Sequence, residues 1–546
     1  MNLLWISAFI IIVPLVCLLL GRTLRQRLLR IQTCINDMYD LGSSRSPAEK
    51  VKGTAVVCGG SISGLLTARV CHDHFENVLI VEPEGWLNSD DAKRVDSWNQ
   101  ENVRSRVMQY DSLQGVQVFA YSGFCKLFPG FENECKASDI NVCPGDFRTS
   151  TWGMWTMTPY TEYNGCLPKT MFVSRRGLET LIRRLVLGGR YENIEQITGT
   201  VTGISRSRSD PQYLDQVTIR TTGGIRTVQA SMVADCTGPA CAGIKWLKRE
   251  GFGIAAEYPR GRLPLDELKI AYDQKIRYST LHFHVPKEVG NRLPGLLTDY
   301  DDCGPIYNCT TDYNVDHRSI YAQRVEGDIV QVCCGAWGDA DLPQTLDEVK
   351  NYVRTMSTKK PIPDWFFSCL DILGEVQDSM TCSRVRVPPT SYVRFENAVN
   401  LPSNWVAIGD SVMRVNPVFG QGCTKALLGA VCLNTMLVGV KTPVALPRKF
   451  SQIFFRTHGA KIAPLWTGVK AGDYGYETTI PVPGEHLSKG WFLRWYIRKL
   501  HILAFTDKQA GSSLWHVKMF LAPPIDNMQL GLVLKIAWNF IRDPWA

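Results

Sequence analysis

The chain of 546 residues carries no repeat of solenoid length and no stretch biased enough in composition to force disorder, which excludes stacked-repeat and unfolded architectures. It has 18 cysteines, but none forms a Cys-x-x-Cys pair and no cysteine–histidine group has zinc spacing, so the common structural zinc modules are out. Basic residues are nowhere interleaved with aromatics in a nucleic-acid-binding pattern, and no nucleic-acid partner is expected. The Gly-x-Ser-x-Gly elbow of lipases is missing, and with it the usual hydrolase triad. Only one Gly-rich βαβ unit is evident, so a separate nicotinamide fold is not expected.

The composition is that of a globular protein, 45% hydrophobic and 21% charged, and the length suits two or three domains or one two-lobed body. The net charge of +8 is concentrated: Arg22, Arg25, Arg27 and Arg30 share one acid-free segment. Cys17, Cys58, Cys71 and Cys432 lie in apolar runs, which reads as reduced, buried thiols rather than a disulfide framework. Leu3 to Leu20 is nearly continuous apolar sequence followed, not preceded, by arginines. That order predicts a single-pass anchor with a cytosolic body, on the endoplasmic reticulum in a eukaryote. A signal peptide or a monotopic hairpin are the alternatives. The anchor is predicted at 1–21, with a basic juxtamembrane linker at 22–51.

The strongest local signal follows. Thr54-Ala55-Val56-Val57-Cys58 suits a buried parallel strand. It enters Gly59-Gly60-Ser61-Ile62-Ser63-Gly64, then a helical pattern to about His74 and a second strand, Val78 to Val81, ending at Glu82. Strand, Gly-rich turn, helix, strand and acid within about 30 residues are the parts of a dinucleotide-binding unit. Gly59 permits the tight turn, Gly64 lets the helix approach the sheet, and the helix N-terminus offers N–H groups to a pyrophosphate. Glu82 is placed to accept ribose hydroxyls. Ser61 replaces the middle glycine; it is small, and its hydroxyl can donate to phosphate.

Two further strand-to-turn segments stand far down the chain. Met232-Val233-Ala234-Asp235 runs into Cys236-Thr237-Gly238-Pro239. Trp405 to Ile408 runs into Gly409-Asp410, then Asn416-Pro417 and Gly420-Gln421-Gly422, before a strong helical pattern. An aspartate at a strand end can bond a ribityl hydroxyl, and the helix N-terminus after Gly420-Gln421-Gly422 would favour negative charge on a reduced flavin. Each turn alone also fits a plain strand-to-helix loop.

With these three motifs in this order, the sequence resembles the FAD-dependent monooxygenases of the aromatic-hydroxylase fold. The likeness is greatest to polyene- and polyether-type epoxidases and looser to squalene epoxidase. It runs over Val56–Val70, Val233–Gly238, Gly409–Ser411, Asn416–Gly422 and the tail around Phe492–Tyr496 and Leu521–Pro524. The resemblance implies FAD held by Gly59, Gly60, Ser61, Gly64, Glu82, Gly238, Asp410, Gly420, Gln421 and Gly422. It further implies contacts from Arg106 (with Arg104 competing), Gln109, Arg175, Val201 beside the adenine, and Cys423 beside the isoalloxazine. For each arginine a surface ion pair is the plainer reading.

The implied fold is α/β: a Rossmann-like FAD-binding domain in three parts (52–110, 171–250, 396–440) interleaved with an antiparallel-sheet substrate domain (111–170, 251–395), then a helical C-terminal region (441–546). The implied chemistry is attack by a flavin C4a-hydroperoxide on an apolar polyene, terpenoid or polyketide-like substrate, giving an epoxide or a hydroxyl. Molecular oxygen is a co-substrate, and electrons come from NADPH or a membrane-bound partner reductase. Rivals are a prenyl reductase or dehydrogenase on the same fold and a non-catalytic membrane protein that keeps it. A halogenase is disfavoured, since Trp-x-Trp-x-Ile-Pro is missing. Trp152, Trp155, Met157, Tyr160 and Tyr163 are candidate pocket material. His282 and His284 share one strand face and read as satisfied or exposed. Trp491, Trp495, Tyr496, Trp515 and Trp538 suit either membrane docking or plain packing.

Overall fold

The computed structural model describes residues 3–441 and 444–542, with the side chains of 3–15, 17 and 18 outside the described set. A five-stranded sheet runs through one lobe in the order Trp405–Ala407, Met232–Asp235, Val51–Cys58, Phe75–Glu82, Ile194–Thr198. Every neighbouring pair is parallel. Its inner strands read as continuous apolar runs because both faces are covered: Val56, Val57, Ile80, Val233 and Val406 expose essentially nothing. Helices Ile62–His74 and Gly422–Val438 pack on one another and are apolar on most sides, as buried helices are.

Gly64 shows why this helix begins as it does. A Cβ there would stand 1.8 Å from the carbonyl oxygen of Gly59, and Gly59 itself has φ +113°. The turn closes only on two glycines.

The second lobe is a seven-stranded sheet in the order Thr381–Arg386, Ile276–His284, Ile329–Trp337, Arg318–Val325, Pro305–Thr310, Thr149–Thr151, Met154–Trp155. It is antiparallel as expected except where Thr149–Thr151 pairs parallel to Pro305–Thr310. It has its own core, with Phe283, Tyr307, Ile320, Val332, Phe366 and Leu370. Helices Phe450–Asp473, Trp491–Ala504, Lys508–Lys518 and Leu530–Arg542 complete the C-terminal region. The described cysteines are free.

The N-terminus corrects the sequence reading. The first helix, Leu3–Gln32, runs past the expected end of the anchor. Among the described residues no helix is long and apolar enough to cross a membrane, and the single-pass assignment, with the localisation built on it, is withdrawn. Most of the apolar run, 1–15, 17 and 18, lies outside the described side chains. The described half of the helix carries the four arginines and docks on the body: Arg25 pairs with Asp526 at 2.7 Å, and Lys461 donates to the Arg30 carbonyl. Nor are residues 33–41 a linker. Cys34, Met38 and Leu41 are buried in the main core, and Lys461 pairs with Asp37 at 2.5 Å.

Candidate functional site

The carboxyl ends of the parallel strands open on one cavity of ≈ 1370 Å³, whose opposite wall is the seven-stranded sheet. Gly59, Gly60, Ser61, Glu82, Arg106, Gln109, Arg175, Val201, Gly238, Asp410, Gly420, Gln421, Gly422 and Cys423 all line it, whereas Gly64 lies behind the turn. Trp152 and Met157 also line it, but Trp155, Tyr160 and Tyr163 do not.

The turns are tied to one another. Asp235, fully buried, accepts from Thr237 N and Oγ1, Gly243 N and Ser411 Oγ. Gly238 N in turn donates to Ser411 Oγ at 2.9 Å. Burial raises the Asp235 carboxyl despite these donors. Asp235 is therefore the staple between the second and third turns.

Beneath the first turn lies a buried ionic cluster that sequence reading missed. Glu179, on the helix Arg175–Leu187, meets Arg104, Arg175 at 2.9 Å and Arg183 at 3.2 Å. Arg104 also reaches Glu82 and Glu84. Burial would raise the Glu179 carboxyl, but the three guanidinium groups and the Ser61 hydroxyl hold it down at about 2. Of the two competing arginines, Arg104 is thus buried in ion pairs, and Arg106 is the one exposed along the cavity wall. Ser61 Oγ donates to Glu179 at 3.0 Å and accepts from Arg175. Glu82 accepts from Gly60 N at 2.7 Å and Glu84 N, which uses part of its acceptor capacity and leaves lone pairs over.

At the other end, Gly420 has φ +65° and begins the turn into the helix Gly422–Val438. Gln117 Nε2 donates to the Gly420 carbonyl at 3.0 Å, and Cys423 Sγ lies 3.2 Å from Gln114 Oε1. Asp410 is paired with Lys425, whose ammonium is buried and also meets the Met413 carbonyl. Neither glutamine nor Lys425 was legible beforehand. His282 bonds the Asp111 carbonyl at 2.6 Å and is lowered by burial; His284 is exposed. Neither lines the cavity.

No protein-family model matches the chain. It is 24% identical over 450 residues to "Protein Rv3254" of Mycobacterium tuberculosis, covering 79% of this chain and 83% of that one. Among solved structures it is similar to the flavin-dependent brominase Bmp2, with a TM-score of 0.52 at 11% identity, over 90% of this chain and 99% of that one. It is equally similar to a flavoprotein/dehydrogenase from Cytophaga hutchinsonii, with a TM-score of 0.51 at 11% identity and the same coverage. Likeness at that identity establishes a fold shared with flavin-dependent proteins and leaves the activity to be argued from the site.

Proposed function

We propose that the chain is an FAD-dependent monooxygenase that inserts oxygen into an organic substrate with a largely apolar body. The observation that carries this reading is the convergence of three strand-end turns, two Gly-rich and one of small residues around Gly238, on a single cavity large enough for a dinucleotide and a substrate together.

The residues present fit FAD. Arg175 Nη1 and Gln421 Oε1 line the cavity region yet are buried without a hydrogen-bond partner, a state that a polar ligand would relieve. The first turn brings the backbone and the N-terminus of Ile62–His74 to the cavity, which suits a pyrophosphate, with Arg106 and Arg175 as counter-charges. Val201 offers an apolar wall for an adenine, and Glu82 lone pairs for ribose hydroxyls. The N-terminus of Gly422–Val438 would stabilise negative charge on a ring beside it. When bound, FAD supplies two-electron redox chemistry and activation of oxygen. The chain's contribution is a fixed approach and a dry pocket, with Trp337 stacked on Tyr476 at 4.1 Å and Phe419 in the wall. Electrons would come from NADPH or a partner reductase.

The test is the visible spectrum of the purified full chain, kept whole because residues 33–41 belong to the core. Bands near ~375 and ~450 nm, the signature of oxidised flavin, and release of FAD identified by mass are expected. Asp410→Asn, which preserves an oxygen for Lys425, is expected to weaken FAD retention about ten-fold, the cost of one charge-assisted hydrogen bond. Oxygen uptake matched mole for mole by oxygenated product distinguishes a monooxygenase from a dehydrogenase. A folded, colourless protein that takes up no added FAD sinks the reading.

A further inference from the structure

Most cations that line the cavity are already answered within the chain. Arg104 and Arg175 meet Glu179, Arg277 meets Asp339, and Arg498 meets Asp312. Arg414 and Arg494 have no carboxylate partner among the described residues, but their guanidinium N–H groups are taken up by backbone carbonyls. Arg106 stands on the loop assigned above to the cofactor. That leaves Lys518, at the end of the helix Lys508–Lys518.

Its side chain presents surface to the cavity. Its hydrogen bond among the described residues is to Thr149 Oγ1, at 3.1 Å, and its Nζ lies 5.3 Å from the ring centre of Phe147. Asp146, whose charge raises Lys518, also lines the cavity but forms no ion pair with it; its oxygens accept from Arg148 N and the Tyr160 hydroxyl. His501 also lines the cavity; its Nδ1 meets the Ile497 carbonyl at 2.8 Å, and burial lowers it, as does the charge of Lys518. It supplies no competing negative charge.

The position matters as much as the charge. Phe147 packs against Gly115, where a Cβ would come within 2.8 Å of its ring. Gly115 in turn adjoins Gly420, whose own Cβ would stand 3.7 Å from the Gly115 carbonyl oxygen. One aromatic ring and one glycine therefore separate the ammonium from the Gly420-Gln421-Gly422 turn. Thr149 accepts from the lysine, so its own hydroxyl proton remains to be donated.

We propose that Lys518 and Thr149 form an acid-recognition subsite, and that the substrate is an amphiphile with an apolar body and one carboxylate bound there. An ammonium without a carboxylate partner in a largely apolar cavity gains most from an anion that arrives with its ligand. Loss of hydration lowers this ammonium to about 8, which leaves it charged at neutral pH and ready to be stabilised by an anion. The subsite rests on the cavity being the substrate site.

The test titrates the full chain with a fluorescent fatty acid, dansyl-undecanoate, and with its uncharged methyl ester. The wild type is expected to prefer the acid about ten-fold, the worth of one charge-assisted hydrogen bond. Lys518→Met should bring acid and ester close to parity, Lys518→Arg should keep the preference, and Thr149→Val should reduce it in part. Unchanged thermal midpoints establish that the variants fold. A wild type without acid preference, or a preference that survives Lys518→Met, overturns the proposal. The visible spectrum of the same samples keeps the two readings apart. A yellow protein without acid preference sinks the subsite alone, and a colourless one that prefers the acid sinks the flavin reading and supports the subsite.

Discussion

Glu179→Gln is expected to lower stability by about 3–5 kcal/mol, the usual cost of breaking a buried ion pair, and to abolish retention of FAD. Glu179 is 1% exposed, and its carboxylate stands among Arg104, Arg175 and Arg183. Its loss leaves three guanidinium groups with one acceptor fewer, and Arg104 and Arg183 are too deeply buried to turn to water instead. Ser61 loses its acceptor too, so the damage arrives at the Gly-rich turn itself. Because the charges are at fault, a second change that removes one cation, Arg104→Gln, should recover part of the loss. Chemical unfolding of the single and double variants checks this. A single variant within about 0.5 kcal/mol of wild type, the range of an ordinary surface change, would show that the cluster contributes little. The same group sets an acid limit. Its folded pKa of about 2 lies below the ordinary 4.5, so its contribution is present above pH 4.5 and is lost as pH falls toward 2.

That cluster shows what sequence reading reaches and where it stops. The first turn was legible because its chemistry is local. Two glycines, one strand on each side and Glu82 lie within one short stretch, and each is required by backbone geometry that spacing alone expresses. Asp235, by contrast, was read as part of a cofactor-side turn, yet its oxygens all serve neighbouring loops. Arg175, Glu179 and Arg183 stand at i, i+4 and i+8 of one helix, a visible pattern, but the same spacing is common on solvated faces. What makes it a buried cluster is Arg104, 75 residues away from Glu179 in the chain, and no pattern in the sequence joins them. Arg104 and Arg106 were inseparable for a similar reason: they are two residues apart on a turn without regular periodicity, and only the fold decides which one faces in. Gln114 and Gln117 met the Gly420 turn across some 300 residues and carried no local signal. The N-terminal run was read by hydropathy and charge order, which are blind to docking. The fold uses the basic half of that helix, and the residues after it, as part of the body.

A second large effect, of opposite sign in pH, is expected at Asp473. This residue closes the helix Phe450–Asp473, is wholly buried, and accepts from three donors: Tyr272 Oη at 2.8 Å, Trp337 Nε1 at 3.1 Å and Asn416 Nδ2 at 2.7 Å. The three come from different parts of the chain. Trp337 is in the cavity wall, and Asn416 caps Val418 N just before Gly420. Asp473→Ala leaves all three donors buried without an acceptor, at about 1–3 kcal/mol each. It should both destabilise the chain and loosen the wall and the Gly420 turn together. Burial outweighs the three hydrogen bonds and raises the carboxyl from 3.8 to about 6. A folded pKa above the unfolded one means that the native state holds the proton longer. The group's contribution is therefore fully present below pH 3.8 and is lost as pH rises through 6, a change of about 3 kcal/mol. Asp473→Asn, which cannot titrate, should remove that component from the difference in unfolding free energy measured between pH 4 and 7. If the difference between wild type and Asp473→Asn is flat across that range, Asp473 is ionised throughout, and its three donors outweigh its burial.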